Sequence, residues 1–120
     1  MNIEPDKFFG ALANDVRLRC AVLLAHQGEL CVCELTHALG MSQPKVSRHL
    51  ATLRELGMVL DRRDGLWIYY RLHPDLPEWM THLVESAARA VADLSPFADD
   101  RAALENMPNR PETPRCANDA

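Results

Sequence analysis

Two short helical patterns joined at Gly40-Met41-Ser42, followed by two β-rich runs about Asp64-Gly65, predict a mainly α protein with one β-hairpin. That combination is a winged helix-turn-helix. A third observation gives the prediction its interest: the first of the two helical patterns, Glu29-Leu30-Cys31-Val32-Cys33-Glu34-Leu35, carries two cysteines one residue apart.

The elements follow in order. Phe8, Phe9, Leu12, Val16, Cys20, Leu23 and Leu24 recur at helical spacing over two helices, divided by an N-cap signal at Asn14-Asp15. Cys20 continues this apolar face and reads as core packing. Gly28 ends the second helix. A third is expected from about Leu30 to Leu39, burying Leu30, Leu35, Ala38 and Leu39. Ser42 is the expected N-cap of the fourth, with Pro44 in a first turn that needs no proline N–H. Val46, Leu50, Leu53 and Leu56 then form a buried stripe, leaving Gln43, Lys45, Ser47, Arg48, His49 and Thr52 on other faces. Residues 58–62 and 66–72 read as strands, with Trp67, Tyr69 and Arg71 on one face and Ile68, Tyr70 and Leu72 on the other. Helical period returns from Leu76 to Leu94. Residues 1–94 are expected to form one domain, and the acidic, then Pro-rich residues 95–120 a disordered tail.

Composition narrows the function. A chain of 120 residues buries about two-thirds of its unfolded surface and folds without staples. The longest apolar run, Cys20 to Ala25, is far too short for a bilayer, and Glu4 and Asp6 do not fit a secretory signal. No membrane association is expected, and a cytoplasmic setting would keep the four cysteines reduced. Net charge is −4, yet residues 42–73 hold six basic groups against three acidic ones. That local excess is what a nucleic acid would meet.

The polar face of the fourth helix suits a major groove. Gln43 and Ser47 can read base edges, while Lys45, Arg48 and His49 can take phosphates or bases. Arg62 and Arg63 near the hairpin tip would touch the DNA backbone or minor groove. An ordinary solvated face is the competing reading. For the cysteines, positions i and i+2 of a helix point to different sides, so both cannot be core. One buried and one incidental cysteine is the bland reading; a soft-metal chelate is the functional one. Within a helix, gripping one ion would require local unwinding. His37 as a third ligand and a hard-metal face of Glu78, His82 and Glu85 are weaker readings. A small thiol oxidoreductase fits poorly, because the spacing is Cys-x-Cys and no βαβ pattern surrounds it.

At Glu29 to Leu35, at Ser42 to Leu50 and along the hairpin through Trp67 and Tyr70, the chain resembles the ArsR/SmtB family of metal-responsive repressors, specifically the arsenical-resistance repressors. The resemblance covers roughly residues 6–94. It implies a non-enzymatic homodimer packed through its first and last helices, bound to operator DNA and released when As(III) or Sb(III) joins Cys31 and Cys33. A thiol-redox or Cd/Pb-responsive repressor of the same fold is the alternative. Some relatives carry a third cysteine where Thr36 stands. Cadmium and lead sensors add cysteines in an N-terminal arm, absent here before Cys20. The zinc sensors' Asp-x-His is replaced by Arg71-Leu72-His73, which disfavours zinc. As(III) prefers three thiolates, and Cys116 is the expected auxiliary ligand because Cys20 looks packed.

Overall fold

The computed structural model describes residues 2–111. Its order is α1 (Pro5–Leu12), α2 (Asp15–Gln27), β1 (Glu29–Cys31), α3 (Val32–Leu39), α4 (Gln43–Glu55), β2 (Val59–Asp64), β3 (Trp67–Leu72), α5 (Glu78–Val91) and α6 (Phe97–Glu105). The winged helix-turn-helix is present: α3 and α4 are joined by a short turn, and β2 with β3 form the wing. Gly40 turns the chain out of α3 at φ +65°, a left-handed conformation that costs glycine little.

Local chemistry accounts for the helix ends. The Asn14 side chain accepts the Arg17 N–H at 3.1 Å, capping α2 as expected. Ser42 occupies the N-cap of α4 without a side-chain cap bond, and Pro44 lies in the first turn. Val46, Leu50 and Leu53 are fully buried and seat α4 on a core that includes Phe8, Leu23, Leu30 and Leu35. Each such side chain contributes about 1.5–3 kcal/mol of transfer free energy.

Three expectations are corrected here. The third helix does not begin at Leu30. Residues Glu29–Cys31 form a strand, all three buried, lying antiparallel to β3 in a sheet of order β1-β3-β2. Cys31 pairs with Tyr69, and Glu29 with Arg71. A three-residue strand is too short to show a period, and its place is set by the distant wing. The hairpin turn also falls one residue later than expected, at Gly65-Leu66, because Asp64 pairs with Trp67.

The third correction concerns residues 97–105, part of the stretch 95–120 expected to be disordered. Residues 97–105 are α6, packed against α2 and α3. Leu104 is fully buried, and the buried Asp100 carboxylate accepts two bonds from Arg19, at 2.9 and 2.6 Å. The polar composition hid this helix, because its anchor is an ion pair across 81 residues. Cys116 lies outside the described residues.

Candidate functional site

Cys31 is the N-cap of α3 rather than a residue within it. Its backbone is extended (φ −79°, ψ 161°), its Sγ accepts the Glu34 N–H at 3.4 Å, and its own N–H donates to Glu34 Oε1 at 2.9 Å. This is a capping box with sulfur in place of a hydroxyl. Cys33 follows two residues on, in the first turn, and the two sulfurs are bonded to one another at 2.08 Å. The expectation that they point to opposite sides of a helix, and meet only if it unwinds, is therefore corrected. The turn into the helix brings the sulfurs together.

The pair is built into two other parts of the molecule. On the β1 side, Cys31 pairs with Tyr69 of the wing, and the Arg62 guanidinium lies 4.5 Å from the centre of the Tyr69 ring. Arg62 also donates to both oxygens of Glu29, a carboxylate that is fully buried. On the α3 side, Glu34 Oε2 accepts Arg110 Nε–H at 2.6 Å. Cys31 is buried and Cys33 half-buried, so a ligand would enter at Cys33. Cys33 opens on a cleft of about 230 Å³ shared with Gln43 and Ser47 of α4 and Trp67 and Ile68 of β3. Cys33 and α4 thus border the same space.

Gln43, Lys45 and Arg48 are exposed along α4, Ser47 is half-buried, and Arg63 is exposed on the wing. Two of the expected DNA contacts are otherwise engaged. Arg62 is committed to Glu29, because a buried carboxylate holds its counter-charge strongly. His49 Nδ1 accepts from Arg17 Nη1 at 3.2 Å. Burial, with Arg17, Arg48 and Lys45 nearby, pushes the His49 imidazolium below its ordinary range. This favours the neutral imidazole.

Cys20 is buried, and burial drives its thiol up to about 12, in keeping with core packing. Glu78 and His82 form an exposed pair at 3.8 Å, and among the described residues no group of three or more His, Cys, Asp or Glu side chains gathers as a metal site. Glu29, Glu34, Tyr69 and Arg110 were missed by sequence reasoning. Only Glu34 had a signal: Cys31-x-x-Glu34 has capping-box spacing.

A recognition helix with a polar outer face, a hairpin wing beside it and a thiol pair at their junction define a winged-helix transcriptional regulator. Residues 14–60 match the profile of the bacterial regulatory protein, arsR family. The chain is 50% identical over 113 residues to the arsenic resistance transcriptional regulator ArsR1 of Pseudomonas putida, covering 93% of this chain and 86% of that one. The solved AntR antimony-specific transcriptional repressor superposes with TM-score 0.60 at 33% identity, covering 70% of this chain and 73% of its own. The homodimeric winged helix-turn-helix domain of Mb0332 from Mycobacterium bovis gives TM-score 0.59 at 36% identity, covering 73% and 77%. The chain belongs to the ArsR family of DNA-binding transcriptional regulators, which are not enzymes.

Proposed function

We propose that this protein is a metalloid-responsive repressor that holds operator DNA as a homodimer and releases it when As(III) or Sb(III) binds Cys31 and Cys33. The observation that carries this reading is the joined Cys31 and Cys33, with Cys33 lining the cleft beside Gln43 and Ser47. In the reduced protein, arsenous acid exchanges two hydroxyls for the Cys31 and Cys33 sulfurs, and the two thiol protons leave with those hydroxyls as two waters. A ligand seated there lies against the reading helix and the wing, and the β1–β3 pairing passes any shift of Cys31 to Tyr69. No unwinding of α3 is required.

Cys116 is proposed as an auxiliary third thiolate. Arg110 touches Glu34, the neighbour of Cys33. The tether to Cys116 is therefore six residues, spanning at most about 21 Å, rather than the twenty or so counted from the end of the last sequence-predicted helix. Its thiol would act at an effective concentration around the millimolar range.

For DNA, Gln43 and Ser47 are assigned to base edges and Lys45, Arg48 and Arg63 to phosphates. Homodimerisation is proposed through α1 and α5. There Phe9, Trp79 and Leu83 are 51%, 43% and 41% exposed, with the Phe9 and Trp79 rings 6.2 Å apart. Each recognition helix then takes a half-site about one helical turn from the other. Among the described residues no helix is long and apolar enough to cross a membrane. We place the protein in the cytoplasm, where the pair stays reduced.

The bonded state of the sulfurs favours a second reading, a thiol-redox repressor in which oxidation replaces ligation. Fluorescence anisotropy on operator DNA, titrated separately with As(III), Sb(III), Cd(II), Zn(II) and peroxide, separates the readings. Release by As(III) and Sb(III) in reducing buffer supports the proposal. Release by peroxide alone supports the redox reading, and release by Cd(II) alone a cadmium-type sensor.

A further inference from the structure

Glu34 is fully buried, and its carboxylate ties together two segments far apart in the chain. One oxygen accepts the Cys31 N–H at 2.9 Å; the other accepts Arg110 Nε–H at 2.6 Å. Arg110 Nη2 also donates to Gln27 Oε1 at 3.4 Å, at the end of α2. The arm that carries Arg110 is fastened upstream by Leu104 in the core and by Asp100 on Arg19.

We propose that Arg110 is a positioning residue for the thiol pair: through Glu34 it holds the Cys31 backbone, and so couples docking of the C-terminal arm to ligand binding at Cys31 and Cys33. The inference rests on reading that pair as the inducer site. Arg110 is a charged partner that holds one oxygen of this buried carboxylate, and its loss weakens the hold on the group. Glu34 would then let go of the Cys31 N–H, and the capping box that sets the Cys31 sulfur would open. A chelate works by holding both donors in place before the ligand arrives, so a loosened Cys31 weakens it. Outer partners that orient ligating side chains commonly matter about 10–100-fold in affinity. By reciprocity, a bound ligand must tighten the arm by the same factor that the arm tightens the ligand.

The test uses the full-length reduced protein, Arg110→Gln and Arg110→Lys. Amide exchange at Cys31 is read without ligand, and As(III) affinity is read from the ultraviolet absorption of arsenic–thiolate bonds. Arg110→Gln should speed Cys31 exchange and weaken As(III) binding about 10–100-fold. Arg110→Lys should recover part of both, because an ammonium still pairs with the carboxylate but lacks the fork. In the unaltered protein, As(III) should slow exchange across residues 97–110 as well as at Cys31. A folded Arg110→Gln protein with wild-type Cys31 exchange overturns the positioning role. Should that variant not fold, As(III) binding that leaves exchange over residues 97–110 unchanged overturns the coupling. Failure of the unaltered protein to bind As(III) would instead remove the sensor reading, and the Cys31 exchange rates would still decide the role of Arg110.

Discussion

Arg62, on the wing, closes a two-bond ion pair on the fully buried carboxylate of Glu29, with distances of 2.9 and 2.7 Å. The wing is thereby locked to the strand that leads into the thiol pair, by a cation expected to face DNA. Arg62→Gln should cost about 3 kcal/mol of stability, the low end for breaking a buried pair, because Arg62 keeps partial exposure. Arg63→Gln should leave stability within about 0.5 kcal/mol. It should instead lower the salt slope of operator binding by about one unit. Urea denaturation and salt-dependent anisotropy check both. A stable Arg62→Gln protein with the reduced slope would return Arg62 to the DNA surface.

Truncation at two points separates the arm from the tail. Ending the chain after Ser95 removes Asp100 from Arg19 and Leu104 from the core, and should cost at least about 3 kcal/mol. Ending it after Pro111 removes Cys116 and keeps α6. That shorter cut should weaken As(III) modestly and preserve DNA release. Unchanged As(III) affinity after Pro111 truncation takes Cys116 out of the site, and lost release makes it essential.

Cys20 should be inert. Burial raises its thiol from 9.0 to about 12, so in the native protein almost none is thiolate at pH 8. The sign follows from linkage: a thiol harder to ionise when folded contributes stability below about pH 9 that fades as pH climbs toward 12. Alkylation of the reduced protein followed by mass spectrometry should label Cys33 and spare Cys20 until denaturant is added. Labelling of Cys20 in the folded state would contradict its place in the core.

His49 predicts an acid dependence. Its imidazolium is disfavoured in the folded state, first by burial and then by Arg17, Arg48 and Lys45. As pH falls below about 6.5 the unfolded chain takes up this proton more readily, so the contribution present above that pH is lost below it. His49→Gln should flatten the decline of melting temperature between pH 7 and 5. An identical decline in the variant would assign the effect elsewhere.

Much of this architecture was legible in the sequence because it rests on local pattern. The stripe Val46, Leu50, Leu53 placed α4, and the change of period after Gly57 placed the wing. Asn14, Gly28 and Gly40 marked helix ends through their own backbone and side-chain chemistry. What stayed hidden depends on partners far along the chain. β1 exists because β3 is there to pair with it, α6 because Arg19 receives Asp100, and Arg62 is engaged because Glu29 accepts from it. The thiol pair lies between these cases. Its presence is plain, but its geometry is not, because helical period alone places Cys31-x-x-Glu34 inside a helix that it in fact caps.

The central claim is that Cys31 and Cys33 sense and α4 reads, and the most direct measurement is As(III)-driven release of fluorescent operator DNA by the Cys31→Ser and Cys33→Ser proteins in reducing buffer. Serine keeps a capping oxygen at position 31, so both variants should fold and hold DNA as the unaltered protein does. The account predicts that As(III) releases the unaltered protein and leaves both variants bound. A Cys33→Ser protein that lets go of DNA at the same As(III) concentration as the unaltered one would contradict it.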